Sequence, residues 1–209
     1  MGFVVHISGP ENDCEREHRM ATTHATCFFG LQTYENAMTD TLPQAVVSAF
    51  DDHEAFEPAE EGYNVTTTVF DATVTATEAD DFGYRFTVTV RAPMLREAVE
   101  AEVVGPAVEE GWFETYERRL EDATMATRSQ VDLEEYDVTD ENGQAEATFV
   151  FEYGDAERGT EIAKTIVEFV EGTYVEGVVP GYDYGSPVAD LLHQAKTAGS
   201  DAERGGTPL

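Results

Sequence analysis

Cys14, His18, His24 and Cys27 set out the pattern C-x3-H-x5-H-x2-C, four donors of the types that close a tetrahedral zinc site. The spacing matches no common zinc finger, and the segment lacks the apolar punctuation around which a small metal-bound fold is built, so no metal and no cofactor is expected. A Cys14–Cys27 disulfide would be unusual in a reducing cytosol. Covalent catalysis has no motif to stand on: the chain holds no G-x-S-x-G, no phosphate-binding glycine loop and no H-E-x-x-H. His53 and His193 are single histidines beside acids or near a helix end. Pairs of Asp and Glu abound, but acid–base chemistry needs carboxyls whose pKa is individually raised in a cleft, and a solvated acidic surface explains them better. No catalytic residue is assigned.

Three groups of residues could bind rather than react. Arg85 and Arg91 share one strand face and, together with the basic pair Arg118-Arg119, could gather as an anion site; pairing with neighbouring carboxylates is the plainer expectation. Trp112, Phe113 and Tyr116 recur at helical spacing with Val108 and Leu120, which favours burial against a sheet and leaves Trp112 as a contact if one edge stays open. The stretch Gly172–Gly185 reads as a connection rich in glycine and tyrosine. On a loop, Tyr174, Tyr182 and Tyr184 would offer rigid amphipathic contact area, or would tie the loop down through their hydroxyls. Asn64-Val65-Thr66 matches a glycosylation sequon, but it sits within a strand pattern.

The chain has 209 residues with 43 Asp+Glu against 12 Lys+Arg, a net charge of −31. With 41% hydrophobic and 11% aromatic residues, it is composed like a folded protein rather than an acidic tail. A folded monomer of this size exposes on the order of 9,600 Å², or roughly one net negative charge per 300 Å². Such a surface repels itself when the Debye length is about 30 Å at 0.01 M salt, and hardly at all when it is about 3 Å at 1 M. Ten of the twelve bases are arginine. The pattern resembles haloarchaeal cytoplasmic proteins. The alternatives, a nucleic-acid mimic or a calcium-binding protein, lack their motifs, and direct nucleic-acid binding lacks a basic stripe. No apolar run approaches the roughly 18 residues of a membrane span, so neither a membrane nor nucleic acid is expected as a partner.

The elements that would position these residues begin after Met38. Residues 38–209 carry 38 of the 43 acids, while residues 1–37 hold both cysteines and show no sustained period. Met38 is therefore expected to be the native start, with 1–37 a disordered extension, 38–195 a single domain and 196–209 a frayed tail. The predicted helices cover about 42–52, 106–122 and 156–171, the last ending near Gly172. A short helical run is expected after Pro93, and a last short helix from Ser186-Pro187 to about Ala195. The predicted strands are 63–70, 73–77 and 84–91, then a pair running through Val131–Val138 and Ala145–Phe151 around Asn142-Gly143, a strong hairpin signal. The order α-β-β-β-α-β-β-α means an α+β fold, an antiparallel sheet covered on one side by helices.

That order resembles type III secretion chaperones and YbjN-like proteins, small acidic domains that pair and bind protein segments. A resemblance at sequence level comes from Gly105–Asp122 (GPAVEEGWFETYERRLED) and Val170–Tyr182 (VEGTYVEGVVPGY). Both stretches look like a haloarchaeal family of unknown function, domain of unknown function 5813. This similarity runs from about Met38 to Ala195 and implies a cytoplasmic, stand-alone protein without supplying an activity. The expected function is a non-enzymatic, protein-binding or chaperone-like module, with a homodimer as one expected assembly, holding a protein partner on the free sheet face or the Tyr174–Tyr184 stretch. The alternative is a small-ligand or anion-binding protein, or an enzyme, built on the arginine cluster.

Overall fold

A computed structural model describes residues 42–80 and 83–204, with side chains described as far as Thr197. The chain divides into two units, Met1–Ala37 and Met38–Leu209. The first lies outside the described residues, and with it the Cys14, His18, His24 and Cys27 cluster and the expected disordered extension.

Six antiparallel strands form one sheet in the order β1-β2-β3-β4-β6-β5. They are β1 (Phe56–Pro58), β2 (Tyr63–Val65), β3 (Asp71–Glu78), β4 (Tyr84–Pro93), β5 (Leu133–Glu141) and β6 (Gln144–Tyr153). Period-2 alternation in β3, β4 and β6 turns apolar side chains to one face, and the register sets them opposite one another: Ala76 beside Phe86, Phe86 beside Phe151, Val88 beside Phe149. At the β5–β6 turn Asn142 and Gly143 have φ of 54° and 87°, the left-handed pair of a type I′ hairpin. Gly143 has a second constraint, since a Cβ there would come within 2.8 Å of Glu97 Cγ.

The covering layer holds α1 (Gln44–Asp51), α2 (Leu95–Ala98), α3 (Pro106–Leu120), α4 (Ala156–Glu176) and α5 (Val188–Arg204), with a 3-10 helix at Glu121–Ala126. In α4 the Asp155 carboxylate caps the first turn by accepting from the Arg158 N–H at 2.9 Å. Ile162, Ala163, Ile166, Val167 and Val170 then form its buried stripe. The helix lies close on the sheet at Gly159, where a Cβ would come within 2.2 Å of the Phe86 ring.

Three boundaries differ by four residues or more from the expectation, and one strand was not expected. The strand expected at 63–70 stops at Val65, because beyond it the chain is held by other partners: Thr66 N–H donates to the Ala55 carbonyl, and Val69 N–H to the Glu171 carboxylate at 2.7 Å. Phe70, not Val69, is then the buried side chain. β1 had no sequence expectation, being three residues long around a proline. α4 runs through Gly172 to Glu176, and Gly177 forms its cap with its N–H on the Thr173 and Tyr174 carbonyls. α5 continues past Ala195 to Arg204.

The sheet's other face is polar. Thr73, Thr75, Thr87 and Thr89 stand on it beside Arg85 and Arg91. No helix among the described residues is long and apolar enough to cross a membrane.

Candidate functional site

The four arginines do not gather. Alternation along β4 puts Arg85 and Arg91 opposite the buried Phe86, Val88 and Val90, on the polar sheet face. Arg85 pairs there with Glu134, with Glu135 at 2.7 Å and with Glu152 at 3.5 Å; Arg91 pairs with Glu146 at 2.6 Å. Arg118 and Arg119 are exposed on α3, in the helical layer. The cluster on which an anion site or enzyme was expected is thus split between layers, because strand alternation and helix docking aim the side chains independently.

Tyr174 is corrected from loop to helix core. The extension of α4 carries it under α3, where it is fully buried and edge-on to Phe70 at 4.9 Å. Tyr182 is half-buried against the core, and Tyr184 is engaged: its hydroxyl donates to the Val179 carbonyl at 2.8 Å and accepts the Val179 N–H at 2.9 Å. The 177–185 segment is further pinned by the Glu100 N–H on the Asp183 carbonyl and the Gly185 N–H on the Ala98 carbonyl. It is a strap tied down by tyrosine and backbone bonds.

What the structure does assemble is an aromatic triad. Trp112 and Tyr116, four residues apart on α3 and so on one face, stack with ring centres 5.3 Å apart at 11°. Tyr174 of α4 meets both edge-on, at 5.5 Å from Trp112 and 5.7 Å from Tyr116. Trp112 is 5% exposed, Tyr116 2% and Tyr174 0%, so the stripe is core, as its spacing favours. Phe113 is half-buried, and Val108, expected in the stripe one turn before Trp112, is exposed in the first turn of α3.

This core is not closed electrostatically. Among the described residues, Trp112 Nε1, Tyr116 Oη and Tyr174 Oη are buried without a hydrogen-bond partner, as is Thr160 Oγ1 elsewhere on α4. A buried unpaired polar atom costs about 1–3 kcal/mol, and three within one ring cluster point to a missing partner. Beside the triad is a cleft of about 220 Å³ between α3 and the end of α4, lined by Trp112, Tyr116, Arg119 and Thr173 with Val179 of the strap. Two glycines keep it open. A Cβ on Gly111 would meet nothing within 4 Å, and one on Gly177 would lie 3.9 Å from Trp112 Nε1, so the indole edge is reached past a position without a side chain. Burial pushes the Tyr116 hydroxyl far up in pKa, with Tyr174 and Tyr136 adding to it. Burial also raises Tyr174, helped by Tyr184 and Glu109. Both therefore stay protonated and can donate.

A second cleft, of about 400 Å³, lies over Met94, Val104, Pro106 and Phe113. Its polar floor was not legible in the sequence. Arg96 Nη2 donates to both oxygens of Asp140, at 2.9 and 2.8 Å, while Glu109 accepts from Arg96 N–H at 3.0 Å and Nη1 at 3.1 Å. Burial raises the Glu109 pKa and the Arg96 charge opposes the rise. These groups lock α2, α3 and the hairpin together, so they read as a clamp. His53 is likewise committed: Nδ1 accepts the Ala55 N–H at 3.1 Å, leaving the Nε2 proton for Glu161 at 3.3 Å. Among the described residues no group of His, Cys, Asp and Glu could hold a metal ion.

The aromatic site was partly readable. Trp112, Tyr116 and Arg119 follow helical spacing, and Gly111 and Gly177 stand out in the sequence, but no local signal says that Tyr174 closes on them. A family model described as a family of unknown function (DUF5813) matches residues 51–194. No curated protein and no solved structure matches the chain.

Proposed function

The chain belongs to the family of unknown function DUF5813, and from that footing we propose that it is a non-enzymatic binding module whose α3–α4 cleft holds a small molecule. The observation that carries the reading is that Trp112 and Tyr116, whose Nε1 and Oη are buried without a partner, both line the cleft. Hydroxyls held protonated by burial suit hydrogen-bond donation better than proton transfer near neutral pH. Size limits the occupant. An apolar cavity of about 150 Å³ takes benzene, whereas pockets for drug-sized ligands start at about 300 Å³. At about 220 Å³ the cleft suits one ring and a substituent, not a nucleotide.

Trp112 is the single tryptophan, so its emission reports on this cleft alone. The test is a screen of single-ring compounds against the full chain in molar potassium chloride, read by that emission. Gly111→Leu, which adds a side chain at a position lining the cleft whose Cβ would meet nothing within 4 Å, is the control. Hits that vanish in Gly111→Leu support the reading; a screen without any such hit ends it.

The −31 charge and scarcity of lysine support a haloarchaeal, cytoplasmic setting. A second reading, a chaperone-like module or homodimer, has less support. The free sheet face carries threonines and ion pairs rather than an apolar platform, so this reading leans on the half-open cleft at Phe113 and Val104 and on Val103, which is 94% exposed.

A further inference from the structure

Resting on the small-molecule reading of the α3–α4 cleft, we infer that its occupant is a compact monocarboxylate, with the carboxylate oxygens on Trp112, Tyr116 and Arg119 and an apolar body against the rings. Three observations converge. The buried polar atoms offer protons: an indole N–H can only donate, and the Tyr116 hydroxyl is kept protonated. Arg119 has no ion-pair partner among the described residues, nor have Arg118, Arg128 and Arg158, whereas Arg85, Arg91 and Arg96 are each held by carboxylates; what sets Arg119 apart is its place in the wall of a cleft without acids. The cleft also has no Asp or Glu in its wall, while each of four other clefts has at least two.

A cation would find no counter-charge here, and a neutral molecule would make no use of the guanidinium charge. A polyphosphate needs more room and more than one base. A carboxylate of one ring's bulk uses what is present, since it accepts several hydrogen bonds at once and forms the stronger, charge-assisted kind with Arg119.

The probes are cyclohexanecarboxylate and its uncharged twin cyclohexanecarboxamide, titrated into the full chain in molar potassium chloride and followed by Trp112 emission and calorimetry. The acid is expected to bind about tenfold tighter than the amide, a difference of about 1.4 kcal/mol. Arg119→Gln should erase that preference while leaving the amide's Kd within about threefold, and Gly111→Leu should abolish both. Equal or tighter binding of the amide overturns the carboxylate inference and leaves the cleft reading standing. Acid binding that survives Gly111→Leu overturns it too, by placing the acid elsewhere. Failure of both probes while neutral single-ring compounds still bind overturns the inference alone. Failure of every compound overturns the cleft reading with it.

Discussion

Two glycines of α4 should answer the same substitution with opposite signs. At Gly159 an added methyl would sit 2.2 Å from Phe86 Cε2 and 2.3 Å from Cζ. Carbon atoms rest about 3.5–4.0 Å apart, so the overlap exceeds about 1 Å. Phe86 has no room to yield: it is fully buried, stacked on Phe151 at 5.2 Å and edge-on to Phe50 at 6.4 Å. Overpacking of this kind costs about 1–3 kcal/mol or more, against about 1 kcal/mol gained when alanine replaces glycine in a helix. An overlap this large against an immobile ring puts the cost at the upper end, so the net expectation for Gly159→Ala is a loss of about 2 kcal/mol, which at about 2–4 °C per kcal/mol lowers Tm by about 4–8 °C. At Gly172 a Cβ meets nothing within 4 Å, so Gly172→Ala keeps the propensity gain and should raise Tm by about 1–4 °C. Calorimetric melts in constant molar potassium chloride measure both. Phe86→Leu, which trims the ring, should cost less in the Gly159→Ala background than in wild type, because the two sites are in contact. A Gly159→Ala protein that melts at or above wild type would refute the close approach of α4 to the sheet.

Tyr174→Phe removes a buried hydroxyl that has no partner, so the unliganded protein should gain about 1 kcal/mol in a thermal melt; a loss of that size would show that the hydroxyl is bonded after all. Burial raises the Glu171 pKa above 4.5, outweighing the Val69 and Phe70 N–H groups that oppose the rise. The folded state therefore holds the proton more tightly than the unfolded state. Relative to Glu171→Gln, wild type should gain stability as pH falls through the raised value toward about 4.5 and no further below it. Melts of the two proteins across pH 4–7 that stay parallel would contradict this. Finally, the repulsion among 43 acids and 12 bases should make Tm climb as potassium chloride goes from about 0.01 M to 1 M, where the Debye length falls from about 30 Å to 3 Å. Equal stability in dilute buffer would remove the basis for a haloarchaeal setting.

The parts of the fold that were legible in the sequence are those whose cause is local. Tyr84, Phe86, Val88 and Val90 alternate because a pleated strand alternates, and the same holds for Ala145 to Phe151. Asn142-Gly143 declares its turn because few other pairs accept two positive φ angles. Trp112, Tyr116 and Leu120 repeat at helical spacing, so their burial is written into the spacing. What only the tertiary structure decided are matters of competition between distant partners. Glycine and tyrosine after Val170 look like a loop, yet packing of Tyr174 against Phe70, Trp112 and Tyr116 keeps α4 wound for another turn. Thr66–Phe70 look like strand, yet Glu171 and Ala55 take their N–H groups away from the sheet. Arg119 and Arg85 look equivalent as letters, and differ because one faces a cleft without acids and the other a row of glutamates. Periodicity carries the faces of an element, but which face meets which, and which polar atom is left without a partner, is set by contacts between residues far apart in the chain.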